Sequence, residues 1–153
     1  MIRTKYKFGK SSLKELHSCH EDLQKILNLA ISLSKIDFGI SEGYRTIEKQ
    51  NKLFMLGRSK IDGVIKKGKH NLKPSEAADL YVYHEDDETR RTLAYDKKHL
   101  TYLGGLIDAC AEILYFNGEI SHTIRWGANW DMDGVIDYDQ DFDDFPHFEL
   151  IKP

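Results

Sequence analysis

Apolar residues from Leu13 through Leu16, Leu23, Ile26, Leu27, Ala30 and Ile31 to Leu33 recur near helical spacing, with a break near His20. Ser11-Ser12 followed by Glu15 has the form of a capping box at the start of this run. The pattern predicts a helical N-terminal layer. Asp37-Phe38-Gly39-Ile40 is short and apolar and leads into Glu42-Gly43-Tyr44-Arg45, which reads as a strand entering a turn. Thr46 caps a predicted helix over 47–56 that stops at Gly57. The segment 58–75 is rich in Gly and Lys and reads as a loop. Ala-Ala-Asp-Leu-Tyr-Val-Tyr over 77–83 reads as a buried strand, and a helix fits 98–116, ended by Asn117-Gly118. Short strands follow at 123–126 and 147–151. Helices first, then strands interleaved with helices, predict an α+β fold in which helices pack around a small antiparallel sheet.

The 153 residues amount to one ordinary domain, and no repeat or linker divides residues 1–153. Hydrophobic residues make up 41% and aromatic residues 11%, enough to bury a core without disulfides. The two cysteines, Cys19 and Cys110, lie in apolar patterns and read as free buried thiols of a reducing compartment. No signal peptide precedes the first helix, and the most apolar stretch, 26–33, is too short to span a bilayer, so membrane insertion is not expected. A monomer is expected.

With 22 Lys+Arg against 25 Asp+Glu, the formal charge of −3 hides an uneven distribution. Arg58, Lys60, Lys66, Lys67, Lys69 and Lys73 face only Asp62, whereas 131–144 carries Asp131, Asp133, Asp137, Asp139, Asp141, Asp143 and Asp144 with no base. Either block can be a solvated loop or a placed functional element. The basic stretch is short and the chain is acidic overall, which argues against nucleic acid as a partner.

His70, Asp79 and His147 are each polar at or beside a segment that otherwise reads as core. An unpaired buried carboxylate is costly, so Asp79 requires a compensating group. Two imidazoles and a carboxylate make a ligand set suited to Zn²⁺, and a catalytic site of this kind leaves a fourth position to water. Asp144 precedes His147 across Phe145-Pro146, and a bend there would let it act as general base on that water. Arg45 is a cation for a substrate carboxylate or a developing oxyanion. Glu149, two residues after His147, would share its strand face and support it from behind.

These residues resemble a known family. Glu42-Gly43-Tyr44-Arg45-Thr46, Lys69-His70-Asn71 with Pro74-Ser75 and Ala77-Ala78-Asp79, Arg125-Trp126-Gly127, and Asp144-Phe145-Pro146-His147-Phe148-Glu149-Leu150 resemble the VanY-like D-alanyl-D-alanine carboxypeptidase group of zinc peptidases. Within it, they are most similar to L-alanyl-D-glutamate peptidase endolysins of bacteriophages. The resemblance runs in order from Phe8 to Leu150, with Gly68 where the family often has Ser. It implies a compact hedgehog/D-Ala-D-Ala-peptidase-like fold, His70, Asp79 and His147 as zinc ligands, Asp144 as catalytic acid/base and Arg45 on substrate or transition state. It also implies peptidoglycan stem peptides as substrate, synthesis in the host cytoplasm, and arrival at the periplasm and cell wall through a holin-type pore. The alternatives are a D-alanyl-D-alanine carboxypeptidase or dipeptidase on the same site, and a non-catalytic metal-stabilised wall-binding module.

Asn129, Asp131 and Asp133 followed by Gly134 repeat the first half of a calcium loop, which Asp137 and Asp139 would complete. The twelfth position is Gln140 where a full EF-hand has Glu, so Ca²⁺ binding and a solvated acidic turn both stay open. His17 and His20 read as helix surface, and His84, His99 and His122 as exposed. Trp126 and Trp130 read as core.

Overall fold

The computed structural model describes residues 5–136 and 143–153. Helices α1 (Lys10–His17) and α2 (Glu21–Leu33) precede strand β1 (Phe38–Glu42), and α3 (Ile47–Met55) follows it. A 3-10 turn (Lys69–Asn71) leads into β2 (Ala77–Val82), then come α4 (Asp87–Leu93), α5 (Lys97–Phe116), β3 (Thr123–Trp126) and β4 (His147–Ile151). The sheet order is β1-β2-β4-β3, antiparallel throughout. The expected α+β architecture is present.

Alternation along the strands divides the sheet into two faces. Ala78, Leu80 and Val82 of β2, Phe148 and Leu150 of β4, and Ile124 and Trp126 of β3 join the core with Leu23, Ile26 and Leu27 of α2 and Leu103 and Ile107 of α5. The opposite face carries the polar residues. Glu42 pairs with Asp79 and Asp79 with His147, so one row crosses three strands, while Arg125 pairs with Glu149 in the next row. Both cysteines are free and buried.

The helical break falls at His20, as the periodicity predicts, but the capping box does not form. The N-cap of α1 is Gly9, with no side-chain cap. Ser12 Oγ instead accepts the buried Ile40 N–H at 3.0 Å, and Glu15 Oε2 accepts the Gly43 N–H at 3.0 Å. Both side chains satisfy donors of β1 and its turn, which lack strand partners there. Helix α4 has no counterpart in the sequence reading. It buries no residue and so shows no apolar stripe, although Asp86 caps it through the Thr89 N–H at 2.7 Å.

Candidate metal centre

The sheet register brings Asp79 and His147 side by side, and the 3-10 turn delivers His70 from above. Ser75 Oγ, fully buried, fixes that turn: its single hydrogen is shared between the Ala77 carbonyl at 2.8 Å and the Gly43 carbonyl at 3.1 Å. Gly68 starts the turn, and its N–H donates to Asn71 Oδ1 at 2.9 Å. Asn71 Nδ2 donates in turn to the Arg45 carbonyl at 3.0 Å, and the Arg45 N–H to the His70 carbonyl at 2.8 Å.

Three donor atoms converge. His70 Nε2 lies 3.2 Å from Asp79 Oδ1 and 3.2 Å from His147 Nδ1, and the last two are 3.1 Å apart. Ligands about 2.05 Å from a tetrahedral zinc ion stand about 3.3 Å apart, so the triangle has the size such an ion needs. Proton accounting points the same way. His70 Nδ1 faces the Gly43 carbonyl at 2.7 Å, which can only accept, so this nitrogen carries the hydrogen and Nε2 keeps its lone pair. His147 Nε2 faces Glu149 Oε2 at 2.9 Å, so Nδ1 keeps its lone pair. With both rings neutral, two lone pairs and a carboxylate oxygen thus point at one space, an arrangement suited to a cation.

The electrostatics of the cluster agree. Burial opposes charge on Asp79, yet the facing histidines hold its carboxyl well below the usual carboxylate range. Burial also opposes charge on His147, but its hydrogen bonds to Asp79 and Glu149 push its pKa up to about 9. Without a metal, a proton takes the cation's place.

Asp144 sits at the rim. Its carbonyl accepts the His147 N–H at 3.0 Å across the Phe145-Pro146 bend, and its own N–H donates to the Gly127 carbonyl at 2.9 Å. A Cβ on Gly127 would stand 2.2 Å from the Asp144 carbonyl oxygen, so only glycine permits this approach. Trp126 Nε1 secures the bend by donating to the Phe145 carbonyl at 2.7 Å. Burial, and then the charge of Asp79, raise the Asp144 pKa, while His147, His70 and Arg45 pull against them. Its carboxylate thus feels the charges of the cluster from beside it.

Arg45 lies closer to the metal donors than a pure substrate-binding role would need. Its Nη2 donates to Asp79 Oδ2 at 3.3 Å, its Nη1 to Gln50 Oε1 at 2.9 Å, and its Nε pairs with Glu42. Gln50 is not marked by the sequence, and Arg125 enters there only within the Arg125-Trp126-Gly127 motif, without a role. Arg125 donates to Glu149 Oε1 through Nε at 3.1 Å and through Nη2 at 2.5 Å, extending the support of His147 by one residue. The β3–β4 register Arg125 to Glu149 is what makes this pair; alternation along each strand gives the face of each residue but not that register. Trp130, expected in the core, instead sets its ring 5.2 Å from that of His147 and 5.5 Å from the Arg125 guanidinium.

A second His–Asp–His group, His20, Asp22 and His122, looks alike by composition but not by protons. His20 Nδ1 accepts the Asp22 N–H at 3.0 Å as the N-cap of α2, which leaves the ring's hydrogen on Nε2. His122 Nδ1 donates to Asp22 Oδ2 at 2.7 Å, and the Ser121 N–H to the same oxygen at 3.0 Å. This group is a capping network. His122 is therefore buried, contrary to the exposed position expected for it, because it closes the charge of Asp22. His99 is half-buried against Asp96.

In the acidic loop, Asn129 Oδ1 accepts the Gly134 N–H at 3.1 Å and Asp133 Oδ1 the Val135 N–H at 2.8 Å. Asp131 Oδ1 takes the Asp133 N–H at 3.4 Å. Asp137, Asp139 and Gln140 lie outside the described residues.

A family model for phage L-alanyl-D-glutamate peptidases matches residues 4–151. The L-alanyl-D-glutamate peptidase of Escherichia phage T5 is 45% identical over 42 residues, a stretch covering 28% of this chain and 31% of the T5 protein. The crystal structure of the Serratia marcescens L-Ala D-Glu endopeptidase ChiX superposes with a TM-score of 0.72 at 19% identity, covering 96% of this chain and 92% of that one. The agreement with ChiX is one of fold.

Proposed function

The chain belongs to the phage L-alanyl-D-glutamate peptidase family, and from that premise we propose that it is a zinc-dependent endolysin cutting the L-alanyl-D-glutamate bond of peptidoglycan stem peptides. The observation that carries the zinc is the convergence of His70 Nε2, Asp79 Oδ1 and His147 Nδ1, with both imidazole hydrogens turned outward. Bound there, zinc supplies a Lewis acid that polarises the scissile carbonyl and lowers the pKa of a water. Asp144, at the rim, takes the proton of the attacking water and returns it to the leaving amine. Burial keeps its carboxyl basic enough for that exchange. Arg45 holds Asp79 in place, and its remaining N–H groups are those that would stabilise the oxyanion. Glu149 and Arg125 fix the ring of His147.

One catalytic domain over residues 1–153, acting as a monomer on the cell wall after release through a holin-type pore, completes the reading. Among the described residues, no helix is long and apolar enough to cross a membrane. Calcium, in this reading, binds the acidic loop through Asn129, Asp131, Asp133 and Asp137.

The test is product analysis. Purified peptidoglycan digested with and without a chelator is resolved by mass spectrometry, and free N-terminal D-glutamate with release of intact L-alanyl-muropeptide ends is expected only without chelator. Release of single D-alanine would instead establish the carboxypeptidase alternative. No product under either condition would leave a wall-binding module.

A further inference from the structure

Gln50 of α3 is 2% exposed, yet it lies on a helix whose other side chains are largely in solvent. All its polar capacity is engaged. Its Oε1 accepts from Arg45 Nη1 at 2.9 Å, and its Nε2 donates to Ser59 Oγ at 2.8 Å and the Ile61 carbonyl at 2.7 Å. One acceptor and two hydrogens at this reach are the inventory of a glutamine. Glutamate has no hydrogens for Ser59 and Ile61, and leucine has neither donor nor acceptor.

The partners of Nε2 belong to the cationic loop. That loop is a shaped element: Asp62 Oδ1 accepts the N–H groups of Val64, Ile65 and Lys66 at 3.0, 2.9 and 3.0 Å. Gly63, at φ +81, lies against the Gln50 side chain, where an added Cβ would stand 2.8 Å from Cγ. Asn51 Nδ2 reaches the Asp62 carbonyl at 3.3 Å. The loop therefore rests on α3 through Gln50 and Asn51, and it presents Lys66 and Lys67 just before the turn that carries His70. On its other side the Gln50 amide touches the guanidinium that bonds Asp79 Oδ2.

We propose that Gln50 is a positioning residue with two separable tasks. Through Oε1 it orients Arg45 and so steadies Asp79 as a metal ligand, and through Nε2 it sets the cationic loop that receives the carboxylates of the substrate. This rests on the peptidase reading above. The two tasks are carried by different atoms, so substitution can divide them. Gln50→Glu keeps the acceptor for Arg45 and loses both donors, while Gln50→Leu loses everything. Ser59→Ala removes one loop contact and leaves Arg45 untouched.

Two measurements decide it. The first is zinc affinity of the metal-stripped protein, by competition with a chelating dye. The second is the split between KM and kcat on a soluble muropeptide. Gln50→Leu is expected to weaken zinc binding about tenfold, the scale of lost support behind a ligand, and to raise KM. Gln50→Glu and Ser59→Ala are expected to raise KM while zinc affinity stays within about threefold of wild type. Equal effects of Gln50→Glu and Gln50→Leu on zinc affinity, or an unchanged KM in Gln50→Glu and Ser59→Ala, would overturn the proposal. Ser59→Ala keeps the loop arm decisive if the Gln50 variants do not fold. Absence of zinc binding in the wild-type protein would count against the metal reading itself, and the affinity arm is independent of which bond is cut.

Discussion

His147 Nε2 and Glu149 Oε2 stand 2.9 Å apart on the same face of β4, with Glu149 held from behind by Arg125. The pair fixes the tautomer that aims the Nδ1 lone pair at Asp79 and His70. Burial works against the charge of Glu149, but the hydrogen bonds from His147 and Arg125 keep its pKa below the ordinary value, so it stays a carboxylate.

Glu149→Gln removes that charge and lets the amide present a donor to the ring. Zinc affinity should fall about 10- to 100-fold, the usual loss when the group behind a metal-bound histidine is changed. Competition with a chelating dye measures it, with circular dichroism as the check on folding. An affinity equal to wild type would remove Glu149 from the site.

Asp144→Asn should lower kcat by about 10²- to 10⁴-fold, the contribution of a positioned acid/base, with little change in KM. The metal-stripped variant should also unfold at a higher temperature than stripped wild type at pH 7. The folded-state pKa of Asp144 is raised, so its ionised form costs stability once the pH passes that value, and an amide carries no such cost. The difference should close below the pKa of an unfolded carboxyl. Full activity of the variant would remove Asp144 from the mechanism.

Strands β2 and β4 were legible as short apolar runs marked by polar residues, Asp79 in one and His147 and Glu149 in the other, whereas His70 stands beside them on a turn of the Lys- and Gly-rich segment. The convergence of His70, Asp79 and His147 was not legible. It depends on the register that pairs Asp79 with His147 and on Ser75, whose hydroxyl closes the turn below His70, and neither leaves a periodic signal. Gln50 was hidden for a different reason. Its helix is polar on most sides, so one more amide among Lys49, Asn51 and Lys52 carries no mark of being buried. His122 misled because a histidine in polar surroundings reads as exposed, whereas Asp22, a hundred residues earlier, draws it inward.

Asp22→Asn tests whether that second cluster is structural. Both side chains of the Asp22–His122 pair are 10% exposed, and a hydrogen bond to a charged acceptor contributes about 2 kcal/mol. Burial opposes ionisation of Asp22, but His122 and Ser121 lower its folded-state pKa. The stabilisation is therefore present above the unfolded carboxyl pKa and fades as the pH falls through the folded value. Denaturant unfolding at pH 7 and near pH 3 should show a large gap between wild type and variant that narrows in acid. Zinc affinity should not change, and a drop in it would revive the cluster as a metal site.

The acidic loop is anchored at its start to the same backbone that holds Asp144. The Gly127 N–H donates to the His147 carbonyl at 2.8 Å, and the Gly127 carbonyl receives the Asp144 N–H, so the start of the loop and the rim of the centre share one piece of backbone. Asn129, Asp131 and Asp133 each accept one backbone N–H and keep further lone pairs with which Ca²⁺ could be bound. Calcium titration of the zinc-loaded protein should then alter kcat, and Asp131→Ala should abolish the response while leaving zinc affinity intact. Mg²⁺ at equal concentration should act more weakly, because it demands a tighter octahedral shell. A rate that ignores calcium in the wild-type protein would leave the run of aspartates as solvated surface.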